Sequence, residues 1–361
     1  MSNTFGQLIR LTTFGESHGP AIGGVLEGVP AGLSIDLDRV DREMSRRRPG
    51  QSAIASPRKE LDHVEWLSGL FEGVTTGTPI GFLIRNNDQH SADYDHLKEV
   101  LRPSHADYTY TSKYGIRDHR GGGRSSARET ACRVAAGAIV KQYLETQNIA
   151  IHAWVSQVGR ISLTQPIALD QLHFAEENEV RCPHPETASE MIAYIESIRS
   201  QNDSVGGVIS AVITGLPTGI GEPVFDKLQA RLAYSMMGIN AVKGFEYGAG
   251  FEASRSLGSQ MNDRFAFEDG KIVTTTNHSG GIQGGISNGM PVDFKVAFKP
   301  VATIGKEQET VNLQGERIQL SAKGRHDPCV VPRAVPIVEA MAALVVADML
   351  LLAKAHESLL R

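Results

Sequence analysis

Cysteine is scarce in this chain. Its 361 residues include three, Cys132, Cys182 and Cys329, an odd number with no metal-ligand spacing. That excludes a disulfide scaffold and a cysteine-held zinc site, and it fits a reducing compartment. A basic excess is missing too: the net charge of −5 argues against a general nucleic-acid binder. So is an apolar run of membrane-spanning length. The most apolar tract, Met341 to Ala353, is too short for a bilayer and contains Asp348, so it reads as a buried helix, with a subunit contact as a second use. Met1 to Arg10 has no apolar core of signal-peptide length. The expectation is a cytoplasmic protein without a membrane anchor and without a bound metal.

What is present is a soluble, globular composition, 41% hydrophobic and 21% charged, long enough for two average domains or one large one. Glycine turns, short β-like runs and amphipathic helices continue from end to end with no linker. We therefore expect one α/β domain over residues 1–361. The sequence also echoes itself. Gly23-Gly24-Val25-Leu26 leads to the turn Gly28-Val29-Pro30-Ala31-Gly32-Leu33 and a helix around Leu37 to Arg47. Gly206-Gly207-Val208-Ile209 leads to Gly215-Leu216-Pro217-Thr218-Gly219-Ile220 and a helix around Pro223 to Met237. A helix from Ser126 pairs in the same way with one from Pro336. Two related halves about a pseudo-twofold axis would explain both echoes, and coincidence among glycine turns is the alternative.

The densest chemistry lies in Gly121-Gly122-Gly123-Arg124-Ser125-Ser126-Ala127-Arg128-Glu129. Three glycines allow a sharp bend and close approach to a ligand. Ser126 and Glu129 have capping-box spacing, and Ala127, Ala131, Val134, Ala135, Ala138 and Ile139 continue at helical spacing. A helix start offers unpartnered N–H groups, and Arg120, Arg124 and Arg128 surround it, so the segment reads as a phosphate site. An ordinary capped helix is the plainer alternative. Arg102, Arg117 and Arg133 add to the cationic set, and an anionic small molecule is the implied ligand. Arg46, Arg47 and Arg48 close a helix whose dipole would favour them structurally.

Two histidines sit in turns rather than on apolar faces: His18 in Gly15-Glu16-Ser17-His18-Gly19, and His105 in Arg102-Pro103-Ser104-His105-Ala106-Asp107. Either is a proton donor near neutral pH or a satisfied loop residue. Asp107 is placed to orient a neighbour. Asn277 to Ile286 is a further glycine-rich turn. Lys299 to Thr303 offers a cation and a hydroxyl, and Lys323 to Pro328 packs Arg325, His326 and Asp327 into one turn, where Asp327 is a structural pair or a general base. The polar stretches Arg46 to Lys59 and Asn86 to Asp95 read as loops able to close over an anion, or as plain surface loops.

Seven of these segments together make the chain resemble chorismate synthase over essentially its whole length. They are GESHG at 15–19, RRRPGQ at 46–51, RPSHADYTY at 102–110, YGIRDHRGGGRSSARET at 114–130, INAVKG at 239–244, NHSGGIQGGISNG at 277–289 and GRHDPC at 324–329. The resemblance implies a β-α-β sandwich with an internal pseudo-twofold, assembled as a homotetramer. It implies conversion of 5-enolpyruvylshikimate 3-phosphate to chorismate by 1,4-anti elimination of phosphate and a hydrogen, with reduced FMN and no net redox change. NADPH enters for those members that reduce their own flavin.

By position in the matching motifs, His18, His105 and Asp327 would be catalytic: His18 protonates the departing phosphate, His105 acts near the flavin's pyrimidine end, and Asp327 accepts a proton near N5. Arg47, Arg102 and Arg128 would hold substrate anions, Arg47 serving alternatively as a pyridine-nucleotide contact. FMN would be held by Arg124, Ser125, Ser126, Asn240, Ala241, Gly284, Lys299, Pro300, Val301, Ala302, Thr303 and Arg325. Ala302 stands where the family often has a hydroxyl, leaving a backbone contact there.

Two other readings are weaker. A kinase or phosphatase would need a P-loop or an acidic metal cluster, and neither is visible. An RNA-binding module could stack bases on Tyr108, Tyr110 and Tyr114 beside Lys113, Arg117 and Arg120, against the acidic net charge.

Overall fold

The computed structural model describes residues 3–50, 54, 62–86, 98–321 and 327–358. Two five-stranded antiparallel sheets enclose a helical layer. The first contains β1 (Thr4–Phe5), β2 (Arg10–Gly15), β3 (Ala21–Glu27), β4 (Val64–Trp66) and β5 (Ile80–Arg85), in the order β1-β2-β3-β5-β4. The second contains β6 (Ala150–Val158), β7 (Ile161–Ser162), β8 (Gly207–Thr214), β9 (Val242–Tyr247) and β10 (Val292–Phe298), in the order β9-β10-β8-β6-β7. The side-chain period of two puts Ile22, Leu26, Ile80 and Ile84 on one inner face and Ile209, Ala211, Ile213, Phe294 and Val296 on the other, all buried.

Between the sheets lie α1 (Leu37–Arg47), α3 (Thr130–Glu145), α5 (Leu228–Met237) and α6 (Val331–Ser358); α2 (Asp107–Tyr114) and α4 (Pro185–Ser200) lie outside this layer. In α1 the buried Val40, Met44 and Arg47 follow i, i+4, i+7, and Asp36 caps it by accepting the Arg39 amide at 2.9 Å. Helices α3 and α6 are rich in alanine and pass very close. A Cβ on Gly137 would sit 2.3 Å from the Ala340 Cβ, so only glycine fits that crossing.

The internal echo is structural. Strand order β2-β3-β5-β4 repeats as β6-β8-β10-β9, and only the extra edge strands differ. The turns match atom for atom. Gly28 and Gly215 both have positive φ, and a Cβ there would lie 1.8 Å from the Leu8 carbonyl and 1.9 Å from the Asn148 carbonyl. Thr75 Oγ1 donates to the Pro30 carbonyl and accepts the Leu33 amide. Ser287 Oγ does the same for Pro217 and Ile220.

Three helix starts differ from the sequence expectation. Ser126 opens a 3₁₀ turn, Ala127–Glu129, and the α-helix proper begins at Thr130. Ser126 accepts the Arg128 amide, but Glu129 does not reach back to complete a capping box: it takes bonds from Thr13 Oγ1 and Arg133 Nε instead. The helix expected around Pro223 starts at Leu228, whose amide is taken by the Gly285 carbonyl. The last helix starts at Val331 and contains Pro336; unlike the Met341–Ala353 tract read from the sequence, its Val331–His356 stretch is long and apolar enough to cross a membrane, but it is mostly buried within the protein. Proline has no N–H to give, and the Pro332 carbonyl is instead satisfied by Arg181 Nε at 3.1 Å.

Candidate active site

The turn between β2 and β3 carries His18, which is buried. Gly15, at φ +85°, permits the turn, since a Cβ would strike the Ala21 carbonyl at 2.3 Å. Asn86 Nδ2 ties the turn down through the Glu16 and Gly19 carbonyls at 2.9 and 2.8 Å. His18 Nδ1 lies 3.0 Å from Ser17 Oγ, and its ring rests on the Gly121 backbone, where a Cβ would come within 2.2 Å of Nδ1. The triple glycine thus makes room for a histidine.

His105 borders the other side of the same loop, in a small cavity of about 20 Å³ shared with Glu16, Tyr110 and Gly121 to Gly123. Ser104 before it holds φ +57°, a strained conformation for serine. His105 Nδ1 is 2.9 Å from Asp107 Oδ1. The same carboxylate accepts Arg102 Nε and Nη2, both at 2.7 Å, and pairs with Arg117 Nη1 at 2.6 Å. Burial opposes the Asp107 charge, but the Arg102 and His105 contacts hold its carboxyl well below the usual carboxylate range. Arg102 therefore belongs to the His105 cluster.

Arg47 and Arg128 meet at Asp62. Its enclosed carboxylate accepts Arg47 Nη1 at 2.7 Å through Oδ2 and Arg128 Nη1 through Oδ1. Burial pushes Arg47 down to about 10, opposed by Asp62 and aided by the like charges of Arg333 and Arg128. Arg128 Nε donates to Asn86 Oδ1 at 2.9 Å, and Arg333 bonds both the Arg47 carbonyl and Asp327. One chain of polar contacts therefore runs from the His18 turn through Asn86, Arg128, Asp62, Arg47 and Arg333 to Asp327.

The expected anion cradle has a different geometry. Arg120 pairs with the neighbouring Asp118, and Arg124 reaches Thr13 and the Gly15 carbonyl. Arg120, Arg124 and Arg128 thus diverge from the helix start, and it is Arg47, Arg128 and Arg333 that converge.

The other expected residues form an adjoining strip. Asn240 Nδ2 donates to the Ser125 carbonyl at 2.8 Å; Ala241 holds φ +68°, and its carbonyl accepts the Lys299 amide at 2.9 Å. Pro300, Val301, Ala302 and Thr303 follow in the loop after β10, with the Val301 carbonyl accepting Ser204 Oγ. Next to it, Val205 bonds the Pro328 carbonyl, which places the strip beside Asp327. Lys299 has its Nζ on the Pro300 carbonyl at 3.3 Å, and burial and the like charge of Lys243 push its pKa down. Arg124 and Asn240 also line a cavity of about 490 Å³ with Phe5, Tyr234 and Met341. Another of about 470 Å³, around Arg46, Lys141 and Glu339, contains none of the expected site residues, and Arg46 and Lys141 both donate to the Glu339 carboxylate.

Gly284 does not join this strip. It lies in a hairpin turn beside the first residue of α5, whereas Asn240 comes three residues after the last, at the other end of a helix about 15 Å long. Arg325 lies outside the described residues, as do most of the stretches Arg46 to Lys59 and Asn86 to Asp95. Asp62, Asn86 and Arg333 went unread in the sequence. Asp62, Asn86 and Arg333 carry no local motif that marks them.

Comparison with known proteins agrees with this arrangement. Residues 9–351 match the family described as chorismate synthase. The chain is 62% identical to the chorismate synthase of Christiangramia forsetii over 96% of each sequence. It is 59% identical to that of Parabacteroides distasonis over 99% of each. A crystal structure of chorismate synthase superposes with a TM-score of 0.78 at 34% identity, covering 96% of this chain and 92% of that one. Fold, motif placement and sequence all say that the chain belongs to the chorismate synthase family.

Proposed function

We propose that the polar chain from His18 to Asp327, together with the adjoining Ser125–Lys299 strip, is the centre at which this protein performs its family's reaction with reduced FMN. As a member of that family it is a carbon–oxygen lyase of aromatic amino acid biosynthesis. It converts 5-enolpyruvylshikimate 3-phosphate to chorismate by 1,4-anti elimination of phosphate and a hydrogen. The observation that carries the placement is the continuity of contacts from the His18 turn to Asp327.

The residues present fit a flavin phosphate. Lys299, with Lys243 as its charged neighbour, is desolvated in a way that an anion would relieve. Arg124, Ser125, Ser126, Asn240, Ala241, Gly284, Arg325 and the 299–303 loop would hold the cofactor. When bound, reduced FMN supplies electron density transiently and takes it back, which suits a hydrogen that no adjacent carbonyl acidifies. The chain's own groups bind, orient and manage protons. Arg47, Arg102 and Arg128 hold substrate anions with charge-assisted hydrogen bonds, Arg102 from within the His105 cluster. His18 gives its proton to the departing phosphate, so that the leaving group departs as a weaker base. His105, oriented by Asp107, would protonate or stabilise the flavin near its pyrimidine end, and Asp327 would accept a proton near N5. Arg47 next to the substrate pocket is also the contact we assign to NADPH where flavin is reduced in place.

We further infer one domain, since a single helical layer serves both sheets, and a cytoplasmic homotetramer. The test is a titration of oxidised FMN followed by its absorbance. Affinity should rise when 5-enolpyruvylshikimate 3-phosphate is present, because each ligand orders groups the other needs. Equal affinity with and without substrate would refute a shared pocket.

A further inference from the structure

We propose that Asp62 is a positioning residue for the substrate: its enclosed carboxylate fixes the spacing and direction of the two guanidiniums on which the substrate's anions land. This rests on the assignment of Arg47 and Arg128 given above. Each carboxylate oxygen serves one arginine, Oδ2 to Arg47 and Oδ1 to Arg128. The remaining edges of both forks are held by neutral acceptors. Arg47 Nε donates to Thr130 Oγ1 at 3.2 Å and Nη2 to the Ala127 carbonyl at 3.0 Å. Arg128 Nε donates to Asn86 Oδ1, and Nη2 to the Arg85 carbonyl at 3.2 Å. Asp62 thus binds both guanidiniums, adding to the direct bonds by which Arg47 of α1 reaches Thr130 and Ala127 at the start of α3.

The Asp62 side chain is 0% exposed, so it acts on the ligand through the arginines and not by touching it. Its backbone sits at φ +52°, a strained conformation for aspartate that the surroundings must maintain. Burial opposes ionisation of Asp62, but both arginines outweigh it and keep the carboxyl below its usual range, so the clamp stays charged at neutral pH.

The opposite role is also conceivable in chemical terms: a carboxylate between two arginines could compete with the substrate for them. The full-length variants Asp62→Asn and Asp62→Glu separate the two roles. Positioning predicts that Asp62→Asn raises the KM for 5-enolpyruvylshikimate 3-phosphate roughly tenfold or more, with kcat within about threefold, because the loss is in ground-state binding. Asp62→Glu keeps the charge but moves it out by one methylene, and it too should raise KM; it decides the matter if Asp62→Asn does not fold. The substrate-induced rise in Tm should shrink in parallel, a readout independent of turnover. A lower KM in Asp62→Asn would establish competition and overturn positioning, and unchanged KM in both variants would overturn it as well. Arg47→Ala and Arg128→Ala serve as controls. If they leave KM unchanged, the substrate-site assignment falls; if they raise it while the Asp62 variants do not, only the positioning role falls.

Discussion

Replacing Asp107 by asparagine should damage both stability and turnover, and the structure sets the scale. The carboxylate is 2% exposed and neutralises Arg102 and Arg117, whose side chains are 6% and 8% exposed. Asparagine keeps the size and one acceptor oxygen but removes the charge, leaving two buried guanidiniums without their shared counter-ion. Breaking a buried ion pair in this way costs about 3–5 kcal/mol. For a chain of this length that corresponds to a fall in Tm of roughly 4–7 °C. The pH dependence follows from the depressed folded-state pKa of Asp107. A carboxylate whose pKa is lowered by folding contributes its full stability above its unfolded value of about 4, and loses it only as pH falls through the lower folded value. The difference between wild type and Asp107→Asn should therefore be constant from neutral pH down to about 5 and narrow only in stronger acid. Because His105 Nδ1 loses its charged partner, kcat should also fall roughly tenfold or more. Chemical denaturation at several pH values and steady-state rates measure both effects. A variant within about 1 kcal/mol of wild type and at full activity would refute the account of this cluster.

Two further outcomes follow from steric facts. Gly121→Ala would place a Cβ 2.2 Å from His18 Nδ1. The fold should survive while kcat drops by about 10²-fold, near the low end of what a positioned proton donor contributes; unchanged kcat would remove His18 from the reaction. Gly28→Ala and Gly215→Ala meet carbonyls at 1.8 and 1.9 Å in equivalent turns at positive φ. Each should destabilise by more than about 1 kcal/mol and by similar amounts, and sharply unequal losses in urea titrations would break the proposed equivalence of the halves.

The sequence made the pseudo-twofold readable because its turns depend on glycines at positive φ, and glycine at such positions leaves a local mark. Strand β3 and helix α1 appeared where periodicity placed them. The helix starts at Thr130, Leu228 and Val331 were displaced by tertiary partners: Glu129 is drawn to Thr13 and Arg133, Leu228 bonds Gly285, and Arg181 covers the carbonyl exposed by Pro336. The loops bearing His18 and His105 were legible as polar turns, and the structure sets them on two sides of Gly121. The partners that organise them were not. Asp62 is 66 residues from Arg128 and Asn86 is 42, and no periodicity links positions so far apart. The fan of Arg120, Arg124 and Arg128 shows the converse: near neighbours in sequence, spread over a turn and two successive 3₁₀ turns, point to three different partners.

The central claim is that the site runs an elimination that needs reduced flavin without consuming it. The direct measurement is phosphate release from 5-enolpyruvylshikimate 3-phosphate under anaerobic conditions, with a known quantity of chemically reduced FMN. The account predicts release many-fold in excess of the reducing equivalents supplied and none with oxidised FMN alone. One phosphate per reducing equivalent, or equal release with oxidised FMN, would contradict it.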